Sequence, residues 1–153
     1  MNYVCGLIFN KELNKILLIH KNRGPECVKD KLNFPGGKCE IDESPLDAIY
    51  REILEETKLN FKQSEWTFIC KLLTGNDTVY FYYIVTDDIF YFKQIEDEIV
   101  DIYNLKVGDK YDDKFGLYHN YPVVANVNWL IPMALNHYKK LDPAKSFTII
   151  ENF

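Results

Sequence analysis

Three glutamates, Glu52, Glu55 and Glu56, stand at i, i+3 and i+4 in the segment Arg51–Thr57. On a helix, at about 100° per residue, that spacing puts all three carboxylates on one face. Like charges so close weaken a bare helix by roughly a few tenths of a kcal/mol per pair. A hard divalent cation would offset the repulsion, because Mg²⁺ takes carboxylate oxygens and keeps several waters for substrate phosphates. Alone, an E-x-x-E-E pattern is more commonly a solvated acidic face, so the flanks decide. Gly36-Gly37 precedes it, and glycine reaches backbone conformations closed to other residues, so a main-chain carbonyl or N–H can approach a metal or a phosphate. Glu43 and Arg51 flank the acids, and an ion pair between them would tie the loop to the helix.

The elements that must hold these residues can be read around them. Ser44 is a good N-cap, Pro45 suits the first helical position, and Asp47 falls where a capping-box acid can sit. Leu46, Ile49, Tyr50 and Ile53 recur at helical spacing, predicting a helix from Ser44 to about Lys58. Residues 3–9 and 15–20 read as a hairpin of strands, followed by a polar loop at 21–33. Residues 66–73 and 78–85 read as strands joined by a turn at Thr74-Gly75-Asn76-Asp77. Another strand is expected at 99–105, and a second helix at roughly Asn126–Tyr138, kinked or started late by Pro132. Strands with one helix between them and one after them imply helices packed on the faces of a mixed sheet.

From Gly37 to Leu59 the chain resembles the Nudix box, G-x5-E-x7-R-E-U-x-E-E-x-G-U, where U is bulky and apolar. Gly37, Glu43, Arg51, Glu52, Ile53, Glu55, Glu56 and Leu59 match it. The lead-in Phe34-Pro35-Gly36 and the following Lys38 also resemble the family. One position departs: Lys58 stands where the family has a glycine at the helix exit. Since a left-handed residue is wanted there, Asn60 is expected to supply it, or the helix to run further.

The resemblance implies an α/β fold, an α/β/α sandwich around a mixed β-sheet, with the whole chain, 1–153, as one domain. It implies hydrolysis of a nucleoside diphosphate linked to another group, with Mg²⁺ or Mn²⁺ held by Glu52, Glu55, Glu56 and the Gly37 carbonyl. Glu43 and Arg51 would shape the loop–helix unit. Glu52 or another carboxylate would deprotonate the attacking water; many relatives place that base outside the box, here in the acidic run Glu96-Asp97-Glu98, with Glu98 favoured. Lys38, Lys21 and Arg23 are the candidate phosphate-binding residues. Asn33 and Asn126 fall where the oxidised-purine nucleoside triphosphatases carry base-reading asparagines, and an amide can donate to and accept from a guanine edge at once. The leading expectation is therefore a nucleoside triphosphate pyrophosphatase acting on an NTP or dNTP, 8-oxo-dGTP included. ADP-ribose, a sugar nucleotide or a dinucleoside polyphosphate is the alternative substrate. A non-catalytic nucleotide sensor is the alternative of another class, although such a module would be expected to lose box carboxylates, and all three helical ones remain. Many relatives form homodimers, and no apolar patch that would do so is legible here.

Bulk properties narrow the partners. The chain has 153 residues and a net charge of -5, so it does not attract nucleic acid polymers or anionic membranes at long range. Positive charge for a polyanionic nucleotide must then be local. No segment reads as a signal peptide or a membrane span. The four cysteines lack zinc-like spacing and read as free thiols, which points to the cytoplasm. His20, His119 and His137 show no pattern, and Tyr118 receives no role.

Overall fold

The computed structural model describes residues 1–95, 98–105, 122–139 and 147–151. In chain order the elements are β1 (Asn2–Phe9), β2 (Lys15–Lys21), β3 (Lys31–Asn33), α1 (Pro45–Thr57), β4 (Thr67–Thr74), β5 (Asp77–Val85), β6 (Ile99–Asn104), α2 (Val127–Tyr138) and β7 (Phe147–Glu151). The strands form one sheet in the order β3-β2-β1-β5-β4-β7, with β6 on β2. β1 runs parallel to β5 and β4 parallel to β7, while the remaining pairs are antiparallel, so the sheet is mixed.

Alternation along β1 separates two cores. Val4 and Ile8 pack with Ala48, Ile49 and Ile53 of α1. Leu7 and Phe9 face the other way, into a cluster with Leu130, Ile131 and Ala134 of α2. The result is the expected three-layer sandwich. No helix among the described residues is long and apolar enough to cross a membrane.

The sheet forks, and the fork positions the site. β1 and β2 pair only at Ile8↔Leu17 and Phe9↔Ile16. Beyond that they diverge, and β2 continues against β3. The gap beside β1 is filled by residues 35–39: Gly6 N–H donates to Pro35 O, Val4 N–H to Gly37 O and Cys39 N–H to Asn2 O, each at 2.9 Å. Gly36 passes so close that a Cβ on it would lie 2.1 Å from Val4 O, and its φ of 143° lies where side-chain-bearing residues rarely go.

Several expectations need correction. The loop at 21–33 ends as a strand, β3. Its middle residue is held from outside: Leu32 N–H donates to Pro122 O at 2.9 Å, and Val124 N–H donates to Leu32 O at 3.0 Å. β7 was not anticipated. At the end of α1, Lys58 itself takes the left-handed conformation, with φ 61°, and its N–H reaches Leu54 O. Neither Asn60 nor a longer helix is used, because Leu59 and Phe61 must turn into the core under α1. α2 runs through Pro132 without interruption. Residues 106–121, with Tyr118 and His119, and the pair Glu96-Asp97 lie outside the described residues.

Candidate active site

α1 starts where the sequence says it should. The Ser44 side chain accepts from Asp47 N–H at 3.1 Å, with Pro45 in the first turn. Burying Ala48, Ile49, Ile53 and Thr57 fixes the rotation of the helix and turns Glu52 and Glu56 toward the fork. Their side chains are 13% and 12% exposed, whereas Glu55 is 59% exposed.

Arg51 organises the outer side. Its Nε donates to Glu43 Oε1 at 2.9 Å and Nη2 to Glu43 Oε2 at 2.8 Å, a two-pronged pair of the strong kind. The same guanidinium reaches Glu52 Oε1 at 2.8 Å, Glu55 Oε2 at 3.4 Å and Lys38 O at 3.0 Å. Glu43 also accepts from Glu40 N–H at 2.8 Å, closing the loop. These hydrogen bonds, those of Arg51 above all, hold the Glu43 carboxyl below the usual carboxylate range.

Lys21 organises the inner side. Its ammonium donates to Glu56 Oε1 and lies 3.3 Å from both Glu98 Oε2 and Gly36 O. Glu56 Oε2 accepts from Gly36 N–H at 2.6 Å. Burial pushes the Glu56 carboxyl up to about 7, outweighing the pull of Lys21 and of the Gly36 N–H. Burial also raises Glu52 against the pull of Arg51. For Lys21 burial works to strip the proton, but Glu56 and Glu98 prevail and the ammonium is held above its ordinary value.

The structure thus gathers Glu52, Glu56, Glu98, Lys21 and Arg51 at the fork, with Glu55 at its edge. Two sequence expectations shift. Gly37 O is taken up by Val4 N–H, so the carbonyl facing the carboxylates is that of Gly36. Lys21, expected to meet phosphate, lies instead among the carboxylates, a partnership across 35 residues with no local sequence signal. Lys38 is exposed and lines an open depression with Cys39, Glu40, Ile41, Arg51 and Glu52. Arg23 is exposed on the loop after β2.

Asn33 ends β3, and its Oδ1 accepts from Phe34 N–H at 2.9 Å. Asn126 precedes α2, yet its side chain makes no cap hydrogen bond. Its Oδ1 is buried with no partner among the described residues. The bonds from Leu32 to Pro122 and Val124 carry the start of α2 to β3, which brings the neighbourhoods of these two asparagines together. Phe34 and Tyr82 are core residues, and Tyr80 packs against the α1 core. His137 Nδ1 is 3.1 Å from Tyr83 Oη, a contact between α2 and the sheet away from the fork. The four cysteines are free thiols.

The donor set suits a hard divalent cation: carboxylates and a main-chain carbonyl around a point where the chain's own ammonium now sits. As they stand, no three acidic, histidine or cysteine side chains among the described residues converge closely enough to grip an ion. Glu52 is held by Arg51 and Glu56 by Lys21. Glu52, Glu55, Glu56 and Gly36 O nonetheless supply oxygen donors of the kind such an ion takes.

A three-layer α/β/α fold with an acidic helix at a forked sheet defines a class, and comparison with known proteins defines the family. The NUDIX domain model matches residues 2–106, and the chain belongs to that family. Nudix hydrolases are generally pyrophosphatases that act on small nucleotide substrates and use divalent metals. A search of curated proteins finds no match. Among solved structures, the chain is similar to a MutT/nudix family protein from Enterococcus faecalis at a TM-score of 0.70 and 19% identity, covering 91% of this chain and 62% of that one. It is similar to an ADP-ribose pyrophosphatase from Streptococcus suis at 0.62 and 17% identity, covering 96% and 97%. A bifunctional NMN adenylyltransferase/ADP ribose pyrophosphatase from Francisella tularensis, complexed with AMP and an Mn ion, gives 0.51 and 22%, covering 71% and 34%. At these identities the likeness concerns the fold.

Proposed function

We propose that this protein is a Mg²⁺- or Mn²⁺-dependent nucleoside triphosphate pyrophosphatase of the cytoplasm, converting an NTP or dNTP to the monophosphate and pyrophosphate, with 8-oxo-dGTP among its substrates. The observation that carries the hydrolytic part is the meeting of Glu56, Glu98 and Gly36 O around one positive group. The choice of a purine triphosphate is supported by the Oδ1 of Asn126, buried near β3 without a partner among the described residues. A buried acceptor without a donor costs about 1–3 kcal/mol, which a base N–H would return. Free thiols at all four cysteines support a reducing compartment.

Glu52, Glu55, Glu56 and Gly36 O would hold the metal, which when bound lowers the pKa of the attacking water and neutralises charge on the phosphoryl oxygens. The chain's own residues do the rest. Glu98 takes the proton from water as its oxygen adds to one phosphorus of the α–β linkage, and that phosphorus parts from the bridging oxygen, giving the monophosphate and pyrophosphate. Arg51 keeps Glu52 aimed inward and, through Glu43, keeps the 38–43 loop against α1. Lys38 and Arg23 meet phosphate from the rim, and Asn33 and Asn126 read the base. Residues 38–41, Arg51 and Glu52 line an open depression beside the site.

The test is pyrophosphate and phosphate release, with and without Mg²⁺, from canonical and oxidised dNTPs, NTPs, ADP-ribose, sugar nucleotides and dinucleoside polyphosphates. Metal-dependent pyrophosphate release from purine triphosphates is expected. Cleavage confined to ADP-ribose or other two-sided substrates would overturn the triphosphate assignment, and binding without turnover would make the protein a nucleotide sensor.

A further inference from the structure

The positive group at the centre of the fork belongs to the chain. Lys21 closes β2, and its ammonium touches oxygens from three separate segments: Glu56 on α1, Glu98 just before β6, and Gly36 in the loop that splits the sheet. Its side chain is only 15% exposed. Nothing local in the sequence forces a lysine to turn inward here. The arrangement gives the carboxylates a cation in advance of any metal. Two of these oxygens, on Glu56 and Gly36, are also ones a divalent ion would take. An ammonium and a divalent ion cannot share them, since like charges at contact distance repel strongly in a buried site. The four-carbon stem of lysine lets the ammonium leave without moving the strand.

We propose that Lys21 is an exchangeable internal counter-ion. In the metal-free protein it holds Glu56, Glu98 and Gly36 O together. Metal binding expels it, and the freed ammonium turns to the diphosphate of the incoming substrate. This rests on the metal assignment proposed above. It explains why an acidic cluster can be assembled during folding without metal. It also supplies positive charge to the substrate only once the site is loaded.

Two measurements test it, neither of them turnover. Mn²⁺ binding is titrated by calorimetry, without nucleotide, for the wild type, Lys21→Met and Glu56→Gln, with circular dichroism and thermal unfolding as fold checks. Removing an internal competitor raises apparent affinity by the inverse of the fraction of molecules it left competent, here at least about tenfold for Lys21→Met. Glu56→Gln is expected to lose Mn²⁺ binding. In the wild type, reductive methylation read by mass spectrometry should find Lys21 protected in EDTA, labelled in saturating Mg²⁺, and protected again when inorganic pyrophosphate is added. Equal or weaker Mn²⁺ binding by folded Lys21→Met, with Glu56→Gln still impaired, would overturn the counter-ion role and leave the metal site standing. Protection of Lys21 unchanged by Mg²⁺ would do the same even if Lys21→Met fails to fold. Absence of Mn²⁺ binding by the wild type would overturn both readings.

Discussion

A methyl group on Gly37 would lie 2.4 Å from Glu52 Oε2 and 2.5 Å from its Cδ and Oε1. The carboxylate of Glu52 is therefore packed onto bare backbone, and the first glycine of the box is there for the acid rather than for a turn. Gly37→Ala must push Glu52 off its place while the sheet contact through Gly37 O remains. The expected result is a fall in kcat of roughly 100-fold, the cost of about 1 Å of misplacement, with thermal stability nearly unchanged. Steady-state kinetics beside a melting curve check this; full activity would mean that the position of Glu52 does not matter.

Glu56→Gln and Glu52→Gln keep shape and remove charge. If both carboxylates hold metal, turnover should drop by at least about 100-fold, since even residues supporting a metal ligand cost 10–100-fold. The circular dichroism spectrum should be unchanged. Wild-type rates in both variants at limiting Mg²⁺ would sink the metal assignment.

The pair of Glu43 and Arg51 is a structural clasp, and its loss should be read in stability. Its two charge-assisted hydrogen bonds are part-buried and partly screened by solvent, so Glu43→Gln should lower the unfolding free energy by about 1 kcal/mol at neutral pH. The pH dependence has a definite sign. Glu43 is held below its ordinary value in the folded state, so its contribution is full above the unfolded carboxylate value of about 4.3. The contribution fades as pH falls through the lower folded value. Urea unfolding at neutral pH and near pH 3 should show the wild-type advantage shrinking at the acid end.

Lys58 pays for a conformation that glycine takes freely. Its φ of 61° should cost about 1–2 kcal/mol, partly offset by the greater freedom of glycine in the unfolded chain. Lys58→Gly, which restores the family residue, should stabilise the protein by about 0.5–1 kcal/mol without altering turnover. Denaturant titration decides it, and a destabilised variant would mean that the exposed bond from Lys58 Nζ to Glu55 O carries more than its exposure suggests.

Much of this was legible because the signals are local. Ser44, Pro45 and the spacing of Ile49 and Ile53 announce α1, and the turn at Gly75-Asn76 announces the β4–β5 hairpin. β3 was not, since Lys31-Leu32-Asn33 carries no pattern and is made a strand by pairing with β2, helped by bonds from Leu32 to 122 and 124. Two adjacent glycines cannot be told apart by spacing; the hydrogen bond from Val4 N–H to Gly37 O decides that Gly36 faces the acids. The inward turn of Lys21 depends on Glu56 and Glu98, and only the closed sheet brings these three together.

Asn126 carries the last prediction, on base choice. A helix-capping asparagine would spend its Oδ1 on a backbone N–H of the first turn, and this one does not. Its backbone is already helical, with φ -71° and ψ -17°, which turns the side chain away from the cap position. The oxygen has no donor among the described residues, and under the triphosphate reading it is the acceptor that meets a donor on the purine edge. Asn126→Ala removes that acceptor along with its burial cost, so stability should hold or rise slightly. The loss should appear as kcat/KM for purine triphosphates lowered by roughly 5–150-fold, the equivalent of about 1–3 kcal/mol, with pyrimidine triphosphates little affected. Equal losses on both base classes would make Asn126 a support for α2 rather than a reader of the base.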